Sequence, residues 1–173
     1  MKAKKGIILF FTVLLLASSV YFLYHQVQKI KQKKEYYNDI PAFQLPDING
    51  NVITEADLQK NIPVLFLFFH PDCSLCREEM EQIQLHHNAF SVYQIVFFSP
   101  VPAIEIIAFL DEIHFSLRSN MFFLVDEDEN LTKQMEVKTS PSSYIYNGQG
   151  QLIKRFDGPV KIETLIKYLS EQV

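Results

Sequence analysis

Hydrophobic residues fall into three patterns along this chain, and each predicts a different kind of element. The first is an unbroken run from Gly6 to Tyr24 (GIILFFTVLLLASSVYFLY), nineteen residues without a charge. As a helix it would measure about 28 Å, close to the roughly 30 Å hydrocarbon thickness of a bilayer. The second pattern is a set of shorter, nearly continuous apolar runs: PVLFLFF at 63–69, VYQIVFF at 92–98 and MFFLV at 121–125. Runs of that length and composition suit strands buried on both faces. In the third pattern, apolar residues recur at every third or fourth position, from Ser74 to Phe90 and from Ala103 to Ile113. That spacing marks amphipathic helices. Strand, helix, strand, helix, strand in this order predicts parallel pairing through right-handed crossovers.

Turn signals bound the remaining pieces. Phe43 to Leu45 and Asn51 to Thr54 flank Asp47-Ile48-Asn49-Gly50, and Asn-Gly readily takes the positive φ values of a tight hairpin turn. A short helix is expected near Asn130 to Met135. A second hairpin, Ser143 to Tyr146 with Gln151 to Phe156, crosses Asn147-Gly148-Gln149-Gly150, and an amphipathic helix from Ile162 to Leu169 closes the chain. The fold class is therefore α/β, a central mixed sheet flanked by helices with an added N-terminal β-hairpin, occupying residues 41–173. Ahead of it stand a basic segment (1–5), a transmembrane anchor (6–24) and a polar stalk (25–40).

Composition refines this plan. At 173 residues and 48% hydrophobic, the chain has the core of one globular domain, built on 15 Phe with no Trp. Residues 1–37 hold seven Lys and one Glu, a net of +6, while the remainder holds nine Lys plus Arg and nineteen Asp plus Glu, a net of -10. An acidic domain is a poor partner for nucleic acid, which needs clustered Lys and Arg. The lysines lie on both sides of the apolar run, so the positive-inside rule does not set its orientation. Ala17-Ser18-Ser19 resembles a signal-peptidase site, but the apolar stretch continues through Tyr24, longer than a signal core and suited to an uncleaved anchor. No cysteine stands near the run to receive a lipid.

Chemistry concentrates at Cys73 and Cys76, the only cysteines, in CxxC spacing. They follow the predicted strand 63–69 and the turn His70-Pro71-Asp72, at the start of the predicted helix. Unpaired N–H groups and the macrodipole at a helix N-terminus stabilise a thiolate, so Cys73 is expected to have a lowered pKa and to be the attacking sulfur. Cys76, one turn deeper, is within reach to close a disulfide and release a product from a mixed disulfide. A purely structural disulfide across so short a loop adds little stability. Zinc needs two further ligands, and no second CxxC or paired His cluster offers them. His70 either bonds a thiolate or caps its own turn; His86 and His87 lie far along the helix. Pro141, in Val137-Lys138-Thr139-Ser140-Pro141-Ser142-Ser143-Tyr144, precedes a strand, where either a trans or a cis X-Pro bond is compatible with the sequence.

This ordered set, FQLPDINGNVITEADL, CSLC after a buried strand, Ser140-Pro141 and YIYNGQGQLIKRFDG, resembles the thioredoxin-like superfamily, in particular the membrane-tethered thiol-disulfide oxidoreductases of the TlpA and redoxin type. The resemblance runs from about Pro41 to the C-terminus. It implies a thioredoxin-like fold, Cys73 as nucleophile, Cys76 as resolving cysteine, Pro141 as the cis proline, and Glu79 as a carboxylate near the thiols that tunes them or carries a proton. Read from the helix alone, Glu79 is equally a solvated acid like Glu78 and Glu81. The resemblance further implies protein disulfide substrates, a membrane electron-donor protein, no cofactor, and a domain on the extracytoplasmic (periplasmic) side of the cell membrane, working in the reducing direction. Three positions depart from the family: Leu75 replaces proline, Asp72 replaces tryptophan, and Leu67 stands where soluble thioredoxins bury an aspartate. Asp72 is expected to oppose the helix terminus at Cys73. Two alternatives share the fold. A copper-binding, metallochaperone-like module would add a histidine such as His114 to the cysteine pair, and a peroxidase would place PxxxTxxC where His70, Pro71 and Asp72 stand.

Overall fold

The computed structural model describes residues 14–26 and 39–172. The helical segment and the domain are separate compact units. Residues 14–26 form helix α1, whose Leu14, Leu15, Leu16, Tyr21 and Phe22 are all exposed. No helix among the described residues is long and apolar enough to cross a membrane. Residues 6–13 of the expected span, and most of the expected stalk, lie outside the described residues.

In the domain, β1 (Gln44–Pro46) and β2 (Val52–Thr54) form the leading hairpin. A 3-10 turn at Glu55–Asp57 leads to β3 (Val64–Phe68), followed by α2 (Ser74–Leu85), α3 (His87–Phe90), β4 (Gln94–Ser99), α4 (Ala103–Glu112), β5 (Met121–Val125), α5 (Asn130–Gln134), β6 (Ser142–Tyr146), β7 (Leu152–Asp157) and α6 (Ile162–Ser170). The main sheet runs β5-β4-β3-β6-β7, with β3, β4 and β5 parallel and β6 and β7 antiparallel. This is the mixed sheet and hairpin that the apolar runs and turn signals predict.

Strand alternation divides the core into two layers. Leu65, Leu67, Ile95, Phe97, Phe123 and Ile145 face α2, α4 and α6, and Phe97 stacks on Phe123 with ring centroids 4.5 Å apart. Phe66, Phe68, Val96, Phe98, Leu124 and Tyr144 face the other way, against Phe43 and Leu45 of the hairpin, Leu58, and Leu131 and Met135 around α5. The flanking is therefore uneven: three longer helices cover one face, while the hairpin and one short helix cover the other.

Two local expectations are corrected. The helix expected from Ser74 to Phe90 breaks at His86, which has φ -100° and ψ 22°. There the carbonyl of Gln82 takes both the backbone N–H of His86 and a contact of its ring Nδ1 at 3.0 Å, and the His87 ring sits 3.0 Å from the carbonyl of Gln84. Side chains that occupy the last carbonyls end a helix, which accounts for both histidines without a catalytic role. The first hairpin turn likewise does not depend on Asn49 taking positive φ. Gly50 alone does so (φ 84°), and the Asp47 carboxylate organises the turn by accepting the N–H groups of Asn49 and Asn51, both at 2.8 Å. Asn147 repeats the device for Gln149 and Gln151, with Gly150 at φ 80°.

The second hairpin is also pinned to the segment before β3, since the N–H of Asn61 donates to the carbonyl of Gly148 at 3.0 Å. A Cβ on Gly148 would lie 2.7 Å from the carbonyl carbon of Asn61. Backbone on both sides leaves no side chain to yield. Gly148→Ala is therefore expected to destabilise the domain by about 1–3 kcal/mol, read as a lower urea midpoint; an unchanged midpoint would show that the two segments separate freely.

Candidate active site

Strand β3 ends under full burial at Phe68 and Phe69, and the chain then turns through His70, Pro71 and Asp72 before α2 begins. The His70 carbonyl accepts the N–H of Cys73 at 3.0 Å and closes the turn. The His70 ring accepts the N–H of Asp72 through Nδ1 at 3.2 Å, so this histidine caps its own turn. Asp72 carries its carboxylate at 94% exposure, 3.8 Å from that ring. So exposed a charge is screened by water and salt, which weakens its expected opposition to the helix terminus.

Cys73 is the N-cap of α2. Its Sγ accepts the N–H of Cys76 at 3.1 Å, the place where Ser, Thr or Asp oxygens usually cap. The two cysteines form a disulfide across a Cα separation of 5.2 Å. They differ in access: Cys73 is half-buried, whereas Cys76 is fully buried and packs in the core layer with Leu67, Phe69 and Met80. Leu67 occupies this layer as an ordinary apolar residue, so no acid enters from β3.

The cis-proline expectation concerns a loop distant in sequence, and the structure brings that loop onto the sulfurs. The Ser140–Pro141 bond is cis. Ser140 has its carbonyl oxygen 3.5 Å from Cys73 Sγ and its hydroxyl 3.0 Å from Cys76 Sγ. With the disulfide closed neither sulfur carries a proton, so the hydroxyl is the donor to Cys76. Pro141 itself is buried.

Glu79, one turn beyond Cys76, is 4% exposed, unlike its exposed neighbours Glu78 and Glu81. It accepts the Ser143 hydroxyl on Oε1 at 3.0 Å and the N–H of Val160 on Oε2 at 3.2 Å. Burial pushes its carboxyl up to about 7, against the two hydrogen bonds, which favour the ionised form. A groove bordered by Leu75, Gln82, Val160 and Ile162 reaches it from the surface. Glu79 is thus an acid on the redox helix itself that changes charge near neutral pH and is open to exchange with solvent. On the other flank, Arg77 pairs with Glu112 at 3.0 Å and lies over the Phe109 ring at 5.3 Å, tying α2 to α4.

The AhpC/TSA family matches residues 37–155 of the chain. The chain belongs to that family. Over 161 residues this AhpC/TSA-family protein is 22% identical to the thiol-disulfide oxidoreductase ResA of Bacillus subtilis (strain 168), spanning 91% of this chain and 87% of the relative. Among solved structures, StoA from Bacillus subtilis superposes with a TM-score of 0.61 at 21% identity, covering 75% of this chain and 96% of that one. A secreted Mycobacterium tuberculosis disulfide oxidoreductase homologous to E. coli DsbE gives 0.65 at 16% identity, covering 79% and 98%. The fold is therefore thioredoxin-like, and the protein is a thioredoxin-like oxidoreductase with its CxxC disulfide between Cys73 and Cys76.

Sequence reasoning missed two groups that the structure brings to this site, the Ser140 hydroxyl and Ser143. Both stand in the quoted Ser140-Pro141 segment, but only strand pairing shows which way they point: Ser143 lies opposite Leu67 across the β3–β6 ladder, on the face that α2 covers. His114 does not join the cysteines. Its carbonyl accepts from the Gln84 side chain at 2.9 Å, and Gln84 lies eight residues beyond Cys76 on α2, about 12 Å along the helix axis. Among the described residues no group of three His, Cys, Asp or Glu could hold a metal ion.

Glu79 makes stability depend on pH in a defined direction. Its carboxyl titrates near 4.5 unfolded and about 7 folded, so between these values the folded state holds a proton that the unfolded state has lost, and stability falls as pH rises. The full difference is about 3 kcal/mol, present below the lower value and lost above the upper one. Denaturant unfolding of the oxidised protein from pH 4 to 9 is expected to show this decline, flattened in Glu79→Gln. Parallel curves for the two proteins would mean that Glu79 titrates normally.

Proposed function

We propose that this chain is a membrane-anchored, extracytoplasmic thiol-disulfide oxidoreductase that reduces protein disulfides. The asymmetry of the two sulfurs carries the reading. Cys73 is reachable and takes a helix N–H, so in the dithiol form its thiolate attacks a substrate disulfide; one substrate sulfur leaves as thiolate and the other becomes bonded to Cys73. Cys76 as thiolate then attacks Cys73 Sγ, the second substrate thiolate leaves, and the Cys73–Cys76 disulfide closes. The substrate gains two electrons and the enzyme loses them. A dithiol donor, in this reading a membrane protein, restores the enzyme by the reverse exchange. Glu79, one turn beyond Cys76 on α2, exchanges its own proton with solvent through the groove beside Val160, and its change of charge tunes the thiols.

The anchor rests on the charge-free run 6–24 and its flanking lysines. The reducing direction rests on the resemblance to tethered redoxins alone; the name of the ResA relative, a thiol-disulfide oxidoreductase, supports the exchange chemistry in either direction. Copper carriage through His114 finds no support in the geometry at the sulfurs.

Cys76→Ser, which leaves a mixed disulfide on Cys73 unresolved, is expected to accumulate covalent adducts with protein substrates that dithiothreitol releases, while Cys73→Ser traps few. Equal trapping by the two variants would sink the assignment of nucleophile and resolver. For location, a membrane-impermeant maleimide applied to protoplasts after mild reduction is expected to label Cys73 without lysis. Labelling only after lysis would put the domain inside the cytoplasm.

A further inference from the structure

We propose that Ser140 is a catalytic residue of this centre, its hydroxyl donating to Cys76 Sγ and holding the negative charge that the inner sulfur carries whenever the disulfide opens or closes. The inference rests on the exchange reading above and adds to it the group that makes the inner half of the exchange feasible.

The need arises from burial. Cys76 has no exposed surface and lies among Leu67, Phe69 and Met80, where a thiolate has lost its water and is disfavoured. Both directions of exchange nevertheless place charge on it. When a donor thiolate attacks Cys73 Sγ, the new bond is donor sulfur to Cys73, the broken bond is Cys73 to Cys76, and Cys76 departs with the electron pair. In the opposite direction Cys76 must be ionised to attack.

The other polar groups nearby are directed elsewhere. The N–H of Cys76 is given to Cys73 Sγ, and that of Arg77 to the carbonyl of Cys73, so the helix terminus serves the outer sulfur. The Glu79 oxygens face Ser143 and Val160. Ser140 Oγ, at 3.0 Å, places an O–H on Cys76. The carbonyl of the same residue, 3.5 Å from Cys73 Sγ, accepts a thiol proton there once the disulfide is reduced. One residue thus favours charge on the inner sulfur and a proton on the outer one.

Hydrogen bonds to charged groups are strong enough that losing one slows a step about tenfold or more. The inner step can be isolated by mixing reduced protein with Ellman's reagent: Cys73 releases the first thionitrobenzoate, and the attack of Cys76 on the resulting mixed disulfide releases the second. In Ser140→Ala the second phase is expected to slow about tenfold at pH 7, with its pH–rate midpoint raised by about one unit. The near-isosteric pair Ser140→Thr and Ser140→Val separates hydroxyl from shape: Thr is expected to retain wild-type kinetics and Val to behave like Ala. Ser142→Ala removes a hydroxyl of the same loop that donates to the Thr139 carbonyl at 2.7 Å instead of to sulfur, and is expected to leave the midpoint in place. The proposal is overturned if Ser140→Val keeps the wild-type rate and midpoint, or if Ser142→Ala shifts the midpoint as Ser140→Ala does. Wild-type protein with no second phase would instead overturn the exchange reading itself, and the Ser140 inference with it.

Discussion

The active centre depends on a helix N-terminus held at the end of a strand that has no freedom to move. β3 is buried along its whole length, pairs with β4 on one side and β6 on the other, and lies between two core layers. The turn at His70 to Asp72 and the first turn of α2 take their positions from it. Cys73 replaces the usual oxygen cap with sulfur, so the group that finishes the helix is also the one that reacts. Its thiolate is stabilised by N–H groups the helix would leave unpaired in any case.

Because β6 pairs antiparallel with β3 in the register Leu67 to Ser143, the loop entering β6 arrives beside the sulfurs. That register sets Ser140 against both cysteines and Ser143 against Glu79. The centre therefore handles charge with groups from separate parts of the chain: the helix terminus at Cys73, the Ser140 hydroxyl at Cys76, and Glu79 one turn further along α2. Glu79 is kept near the neutral-to-ionised boundary by burial, as suits an acid that exchanges protons near pH 7. With Leu67 apolar, the acid is supplied by the helix and not by the strand beneath it.

The departures from the family pattern have modest local consequences. Asp72 sits in water beside His70, and Leu75 is 43% exposed on the rim of the groove that reaches Glu79. Both are exposed, and each is the sequence neighbour of one of the two cysteines. They shape the approach to the disulfide more directly than the environment of Cys76.

Much was legible in the sequence because it depends on local pattern. The buried runs 63–69, 92–98 and 121–125 became β3, β4 and β5 with small changes at their ends, since a strand covered on both faces must be apolar throughout. The CxxC at a strand-to-helix junction was readable for the same reason. The break at His86 was not, because it depends on where two imidazole rings fold back onto carbonyls. Nor could Glu79 be told from Glu78 and Glu81 by spacing: only the docking of α2 against β6 and the Val160 segment decides which of the three is buried. Ser140 lies 64 residues from Cys76, and sequence alone contains no term for that distance. The chain by itself determined its elements, its reactive pair and its apolar N-terminal run, all consequences of local composition; strand register and packing decided which polar groups meet the sulfurs, because contacts between remote segments exist only once the sheet has formed.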